Sequence, residues 1–109
     1  MSGVAALDLE EVMHSRPRLA ILAYLLTAGG ADFTLLRDHT GLTDGNLSTH
    51  LRKLEDAAYI DVEKGFVGRK PRTSIFLNSR GKAAFTQYLN DLDAVIQAVR
   101  QSKGAAEGQ

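Results

Sequence analysis

The stretch Leu42-Thr43-Asp44-Gly45-Asn46-Leu47-Ser48-Thr49-His50-Leu51-Arg52-Lys53-Leu54-Glu55, followed by Tyr59-Ile60 and Gly65-Phe66-Val67-Gly68-Arg69-Lys70-Pro71-Arg72-Thr73, decides how this chain folds. Leu47, Leu51, Leu54 and Ala58 recur at i, i+4, i+7 and i+11, which places them on one face of a helix over residues 43–58 with Thr43 as its cap. Just upstream, Phe33 precedes Thr34, a cap for a short helix carrying Leu35 and Leu36, and Gly41 supplies the left-handed residue that ends it. Two helices joined so tightly form a helix-turn-helix over about residues 34–58. Downstream, residues 59–64 alternate apolar with polar and residues 73–77 do so less cleanly, the pattern of two strands. The glycine-punctuated connection 65–71 makes them a hairpin, a wing spanning about residues 60–77.

Asp8-Leu9-Glu10-Glu11 has capping-box spacing, so a short helix carrying Leu9, Val12 and Met13 is expected from near Leu9 to just before Ser15. Ser15 then caps a second helix with Pro17 in its first turn and Leu19, Leu22, Leu25 and Leu26 at helical spacing, ended by Gly29-Gly30. Asn78 or Ser79 starts a long terminal helix with Phe85, Tyr88, Leu89, Leu92, Val95, Ile96 and Val99 on one broad stripe. The expected class is therefore mainly α with a small β-hairpin (α+β). A single domain spans residues 8–101, its terminal helix runs over about 79–101, and residues 102–109 form a flexible tail with nothing to bury.

With 109 residues and 44% apolar content, the chain can bury one modest core. It has no cysteine, so disulfides and thiolate metal sites are excluded, and a reducing cytoplasm is the expected location. Its longest apolar run, residues 19–26, is far short of the roughly 20 residues that span a bilayer. His14, His39 and His50 lack helical ligand spacing, so no metal is expected. No phosphate loop, nucleophile elbow or catalytic carboxylate pair appears, which argues against an enzyme and against a cofactor.

Charge is balanced overall, 13 basic residues against 13 acidic, but it is segregated. Asp8, Glu10 and Glu11 crowd the N-terminus, whereas Lys64, Arg69, Lys70 and Arg72 form a run with no acidic residue inside it. The outer face of the 43–58 helix carries Thr43, Asp44, Gly45, Asn46, Ser48, Thr49, His50, Arg52 and Lys53, short near its start and basic further along. A helix that packs by one face and presents short polar side chains on the other suits the major groove of duplex DNA, where Asn46 can pair with adenine while Arg52 or Lys53 reaches phosphates. Asp44 fits there only if it caps the helix or accepts from cytosine. His50 reads as groove-facing or helix-packing. The wing cations can straddle phosphates or enter the minor groove.

The quoted stretch resembles the compact winged-helix transcriptional regulators related to the MarR and ArsR groups, over roughly residues 8 to 100. The resemblance implies a winged helix, a homodimer, and a recognition helix in the major groove. Contacts to double-stranded DNA then fall to Thr43, Asp44, Gly45, Asn46, Ser48, Thr49, His50, Lys53, Lys64, Arg69, Lys70 and Arg72. One departure stands out. The family pattern has glycine after the recognition helix where this chain has Ala58, and alanine in a left-handed position costs on the order of 1 kcal/mol, so the helix is expected to run slightly further.

The terminal stripe exceeds what a soluble monomer normally exposes, so Phe85, Tyr88, Leu89, Leu92, Val95, Ile96 and Val99 are assigned to dimerisation. A small-molecule effector would have its place in a dimer-formed cleft beside that helix, though no residue announces one. Net neutrality and Asp44 favour a second class, a winged helix that binds a protein and not DNA. A single-stranded or RNA-binding module is weaker, because 6% aromatic residues and no tryptophan leave few stacking platforms.

Overall fold

The structure, a computed structural model, describes the backbone of residues 10–107 and the side chains of residues 10–102. Its first feature is a hydrogen-bonded turn in which His14 N donates to Glu10 O at 2.9 Å and Met13 is fully buried. The expected beginning of a helix at Asp8 and Leu9 lies outside the described residues. Ser15 then caps α1 (Arg16–Ala28), accepting from Arg18 N, with Pro17 in the first turn where a missing amide hydrogen leaves no backbone bond unmade. Ile21, Leu22 and Leu25 form its buried face, and Gly29 closes it.

Two short elements follow that the sequence does not separate cleanly. Ala31–Asp32 form a two-residue strand, β1, and α2 (Phe33–Thr40) is capped by Asp32 and not by Thr34. Asp32 Oδ1 accepts from Leu35 N at 2.7 Å, a charged acceptor facing the positive end of the helix, whereas Thr34 lies inside the first turn. Gly41 at φ +73° ends α2 and releases the chain into Leu42-Thr43.

Thr43 caps α3 (Asp44–Asp56) through Asn46 N, and Leu47, Leu51 and Leu54 are buried as their spacing requires. The helix stops at Asp56 and does not run on to Ala58. Tyr59 N donates to Leu54 O at 3.0 Å and Ala58 N to Glu55 O at 2.9 Å, the reciprocal bonding of a Schellman terminus, with Ala58 at φ +63° in the position usually held by glycine. The expectation that alanine would prolong the helix fails because the corner is held from outside. Asn78 Nδ2 donates to Ala58 O at 3.0 Å, Arg80 Nε donates to Ala57 O at 3.2 Å, and the Arg80 guanidinium lies 5.5 Å from the Tyr59 ring centroid.

Strand β2 (Ile60–Val67) and strand β3 (Lys70–Leu77) pair antiparallel from Ile60↔Leu77 to Val67↔Lys70, and β1 adds to the other edge of β3 at Ile75 and Ser74. The hairpin is longer than its alternation suggests. Only Gly68 and Arg69 lie outside the ladder, Gly68 at φ +63°, so most of the expected 65–71 connection is strand. Pro71 is tolerated within β3 because β1 does not reach that far, leaving an edge where a missing amide breaks no ladder bond.

Asn78 caps the terminal helix, α4 (Ser79–Glu107), with its Oδ1 accepting from Gly81 N at 2.8 Å. Its backbone stays helical through Glu107, so the tail expected from residue 102 is a continuation of the helix that far. Gly81 allows α4 to cross the α3–β2 corner closely, since a Cβ there would stand 2.0 Å from Tyr59 O. The core is one cluster, built from α1, α2, α3, the strands, Met13, Phe85 and Tyr88. Phe85 and Tyr88, expected at a dimer surface, are 2% and 1% exposed and belong to that core. They lie in the first turns of α4, where the domain itself covers the apolar stripe.

Candidate nucleic-acid interface

Helix α3 presents one side to the core and the other to solvent, and the split follows the leucine spacing. Gly45, Asn46, Ser48, Thr49, Arg52 and Lys53 are exposed, and Thr43 sits exposed at the cap. Thr49 Oγ1 donates to Gly45 O at 3.0 Å, which satisfies its proton within the helix while the side chain stays exposed. A Cβ built on Gly45 would meet nothing within 4 Å, so the fold does not require glycine there.

Asp44 is not an isolated negative charge at this surface. Arg37 of α2 donates from Nη1 to Asp44 Oδ1 at 3.0 Å and from Nε to Asp38 Oδ1 at 3.3 Å. The i, i+7 separation across the turn is what brings the pair together, and helical spacing within either helix alone does not reveal it. His50 is placed with the body of the domain. Its Nδ1 lies 2.9 Å from Arg18 Nη1 of α1, and it is half-buried, so of the two sequence readings the helix-packing one holds. Burial first, then the charges of Arg18 and Lys53, hold its pKa below the ordinary value.

In the wing, strand alternation distributes the basic run over both faces of the ribbon. Lys64 shares the face of Ile60 and Val62, the face turned toward α3, while Arg72 and Lys70 lie opposite and Arg69 occupies the turn. Ser48, Leu51, Arg52 and Glu55 of α3 meet Val62, Lys64 and Thr73 of the sheet across a cleft of about 270 Å³. Arg52 and Lys64 therefore flank one groove from two elements. Arg52 is the residue that a reading of single positions underrates, and helical periodicity of roughly 100° per residue already sets it opposite the leucines. Arg72 is drawn aside, its Nη2 standing 3.6 Å from the cap carboxylate of Asp32. Arg69 and Lys70 are exposed at the tip.

Along α4 the apolar stripe continues past the core. Leu92 is packed against the core cluster and Val95 is half-buried, whereas Leu89, Ile96 and Val99 are 39%, 40% and 62% exposed. Among the described residues no group of three or more His, Asp or Glu side chains converges as metal ligands do. No helix of the described residues is long and apolar enough to cross a membrane.

A helix pair whose second member bares a polar face, followed by a basic hairpin, defines the winged helix-turn-helix class of transcriptional regulators. The sequence profile described as a winged helix DNA-binding domain matches residues 18–96, and the chain belongs to that family. An uncharacterized protein of Methanocaldococcus jannaschii is 32% identical over 82 residues, covering 75% of this chain and 89% of that one. Among solved structures, the transcriptional regulator homologue protein of Pyrococcus horikoshii superposes with a TM-score of 0.82 at 28% identity, over 91% of this chain and 98% of the other. A transcriptional regulator of the MarR family from Enterococcus faecalis shares the fold with a TM-score of 0.70 at 20% identity, over 94% and 88% of the two chains.

Proposed function

We propose that this protein is a homodimeric, sequence-specific regulator that lays α3 in the major groove of duplex DNA and sets its wing on the flanking backbone. The observation that carries the proposal is the bare outer face of α3: Gly45 without steric need for glycine, and Asn46, Thr49, Arg52 and Lys53 all exposed beside it. At such a face Asn46 hydrogen-bonds adenine, the Thr49 methyl packs on a thymine methyl, and Arg52 and Lys53 hold phosphates. Arg52 and Lys64 take one strand between helix and wing, and Arg69 and Lys70 continue the contact at the tip. The open half of the α4 stripe, with Leu89, Ile96 and Val99, pairs with a second copy and sets two recognition helices at half-sites roughly 34–36 Å apart.

Titration of duplexes enriched from a random pool, repeated over a salt series, tests the proposal. The binding constant is expected to fall steeply with salt, and replacing Arg69 and Lys70 by alanine is expected to lower the log–log slope by about two across all sequences. Replacing Asn46 by alanine should relax preference at one position and leave the slope unchanged. Salt-independent binding, or no preference over random duplex, overturns the reading.

A further inference from the structure

The wing carries more than charge. Phe66 is 74% exposed and Val67 56%, at the far end of a hairpin in which Ile60, Ile75 and Leu77 are buried, Val62 is half-buried and Phe76 is 37% exposed. Phe66 pairs across the ladder with Pro71, one step inside the closing pair Val67↔Lys70, so an aromatic ring and a pyrrolidine share one face close to the tip. Gly65 precedes Phe66 in ordinary strand conformation, and a Cβ there would meet nothing within 4 Å. Glycine inside a strand weakens it, and glycine that neither the turn nor the packing requires marks a place where something else comes close. The ribbon is thus slender at Gly65 and Gly68, with Phe66 its most exposed large apolar side chain; Lys64 stands on the same face, Arg69 occupies the turn, and Lys70 lies on the opposite face.

An exposed ring on a ribbon that carries cations on both faces and at its turn is poorly matched to an apolar protein groove and well matched to a polyanion with an apolar interior. We propose that Phe66, backed by Pro71, is a wedge that the wing seats in the minor groove of duplex DNA, against the sugars and the edge of a base step, while Lys64, Arg69 and Lys70 hold the phosphates on either side. Apolar side chains used this way partly unstack a step and select for steps that unstack easily, so the wing reads deformability while α3 reads base edges. The inference rests on the proposed DNA binding and goes beyond it by giving a base-step preference to an element otherwise credited with charge alone.

The test uses the full chain and short duplexes enriched by the wild-type protein, with 2-aminopurine placed at successive steps of the flank. Wild type is expected to raise 2-aminopurine fluorescence at one flanking step. Phe66→Ala should abolish that rise and weaken binding about tenfold with an unchanged salt slope, because no ion is released by an apolar contact. Phe66→Leu should retain most of both. Lys64→Ala, in contrast, should lower the salt slope. Because Phe66 is exposed, the variants should unfold at the wild-type urea midpoint. If Phe66→Ala binds within twofold of wild type with the same fluorescence rise, the wedge is overturned while DNA binding stands. If Phe66→Ala keeps DNA affinity but loses mass by light scattering, Phe66 belongs to a contact between copies and the wedge is overturned. A wild-type chain that binds no duplex overturns both readings.

Discussion

Arg18 of α1 and His50 of α3 meet side chain to side chain, guanidinium Nη1 to imidazole Nδ1 at 2.9 Å, behind the face that α3 presents to solvent. A guanidinium can only donate, so Nδ1 accepts and the ring is neutral with its proton on Nε2. Burial, Arg18 and Lys53 all oppose a second proton, and the folded pKa lies below the ordinary 6.5. The unfolded chain therefore binds the proton first as pH falls, and stability drops as pH passes below 6.5 toward the lower folded value. Urea midpoints measured between about pH 7 and pH 5 should decline, and His50→Gln should flatten that decline. NMR titration of the His50 ring should show its pKa rising in an Arg18→Met variant.

Gly45 separates stability from function. In the first turn of α3 its missing Cβ has open space around it, so Gly45→Ala is expected to stabilise the fold by about 0.5–1 kcal/mol through helix propensity. The same methyl group projects where a groove edge must approach, so DNA affinity should fall while the thermal midpoint rises. Parallel thermal unfolding and DNA titration check this. A variant that gains stability with no loss of affinity would move the recognition surface away from the start of α3.

Asp44 and Arg37 form a second coupled pair at that surface, 3.0 Å apart. Replacing Asp44 by asparagine removes a negative charge from the end of α3 proposed to meet DNA and leaves the Arg37 guanidinium with Asp38 as its one carboxylate partner among the described residues. Binding to enriched duplexes is expected to tighten severalfold, with the salt slope steeper by about one, and discrimination against random duplex to narrow. Anisotropy titrations at several salt concentrations report both quantities.

The helix pair, the hairpin and the leucine face of α3 are legible in the sequence because each rests on a local period: 3.6 residues for Leu47, Leu51 and Leu54, two for Ile60 and Val62. What is not legible depends on contacts between distant segments. Asp32 and not Thr34 is the cap, and the pairing of β1 with β3 at Ala31 and Asp32 fixes where α2 can begin. Ala58 takes a left-handed conformation because Asn78 and Arg80, from the far side of the hairpin, bind the carbonyls that a longer helix would have used. Phe85 and Tyr88 lie on the same stripe as Ile96 and Val99, and no periodicity tells which part of a stripe its own domain covers. On the candidate interface, Asn46, Thr49 and Lys53 stand out by position on the wheel. The role of Asp44 depends on Arg37, and that of His50 on Arg18.

The α3–β2 corner should be sensitive to single atoms. Ala58→Gly relieves a left-handed alanine and is expected to stabilise the protein by about 1 kcal/mol, less the entropy that glycine adds to the unfolded chain. Gly81→Ala drives a Cβ to within 2.0 Å of Tyr59 O, a backbone atom that cannot move without breaking its bond from Asn78 N, and should cost about 2 kcal/mol or more. Denaturant unfolding of the two variants, with opposite signs expected, tests whether the corner is held as tightly as its hydrogen bonds imply.

The α4 stripe changes roles along its length, and substitutions should show where. Phe85→Ala empties a site that is 2% exposed inside the domain core, so a loss of about 3–5 kcal/mol of folding stability is expected whatever the oligomeric state. Ile96 and Val99 are 40% and 62% exposed in the isolated chain, and changing both to glutamate should leave the fold of the winged domain intact. If these side chains are covered by a second copy, the double variant runs as a monomer by light scattering at concentrations where wild type is a dimer. It should then lose the half-site spacing preference that a two-fold pair of recognition helices imposes, because each monomer can occupy only one half-site. If wild type is itself a monomer at micromolar concentration, the stripe is covered by something other than a second copy and the dimer falls. Single-half-site binding through α3 and the wing would survive that result.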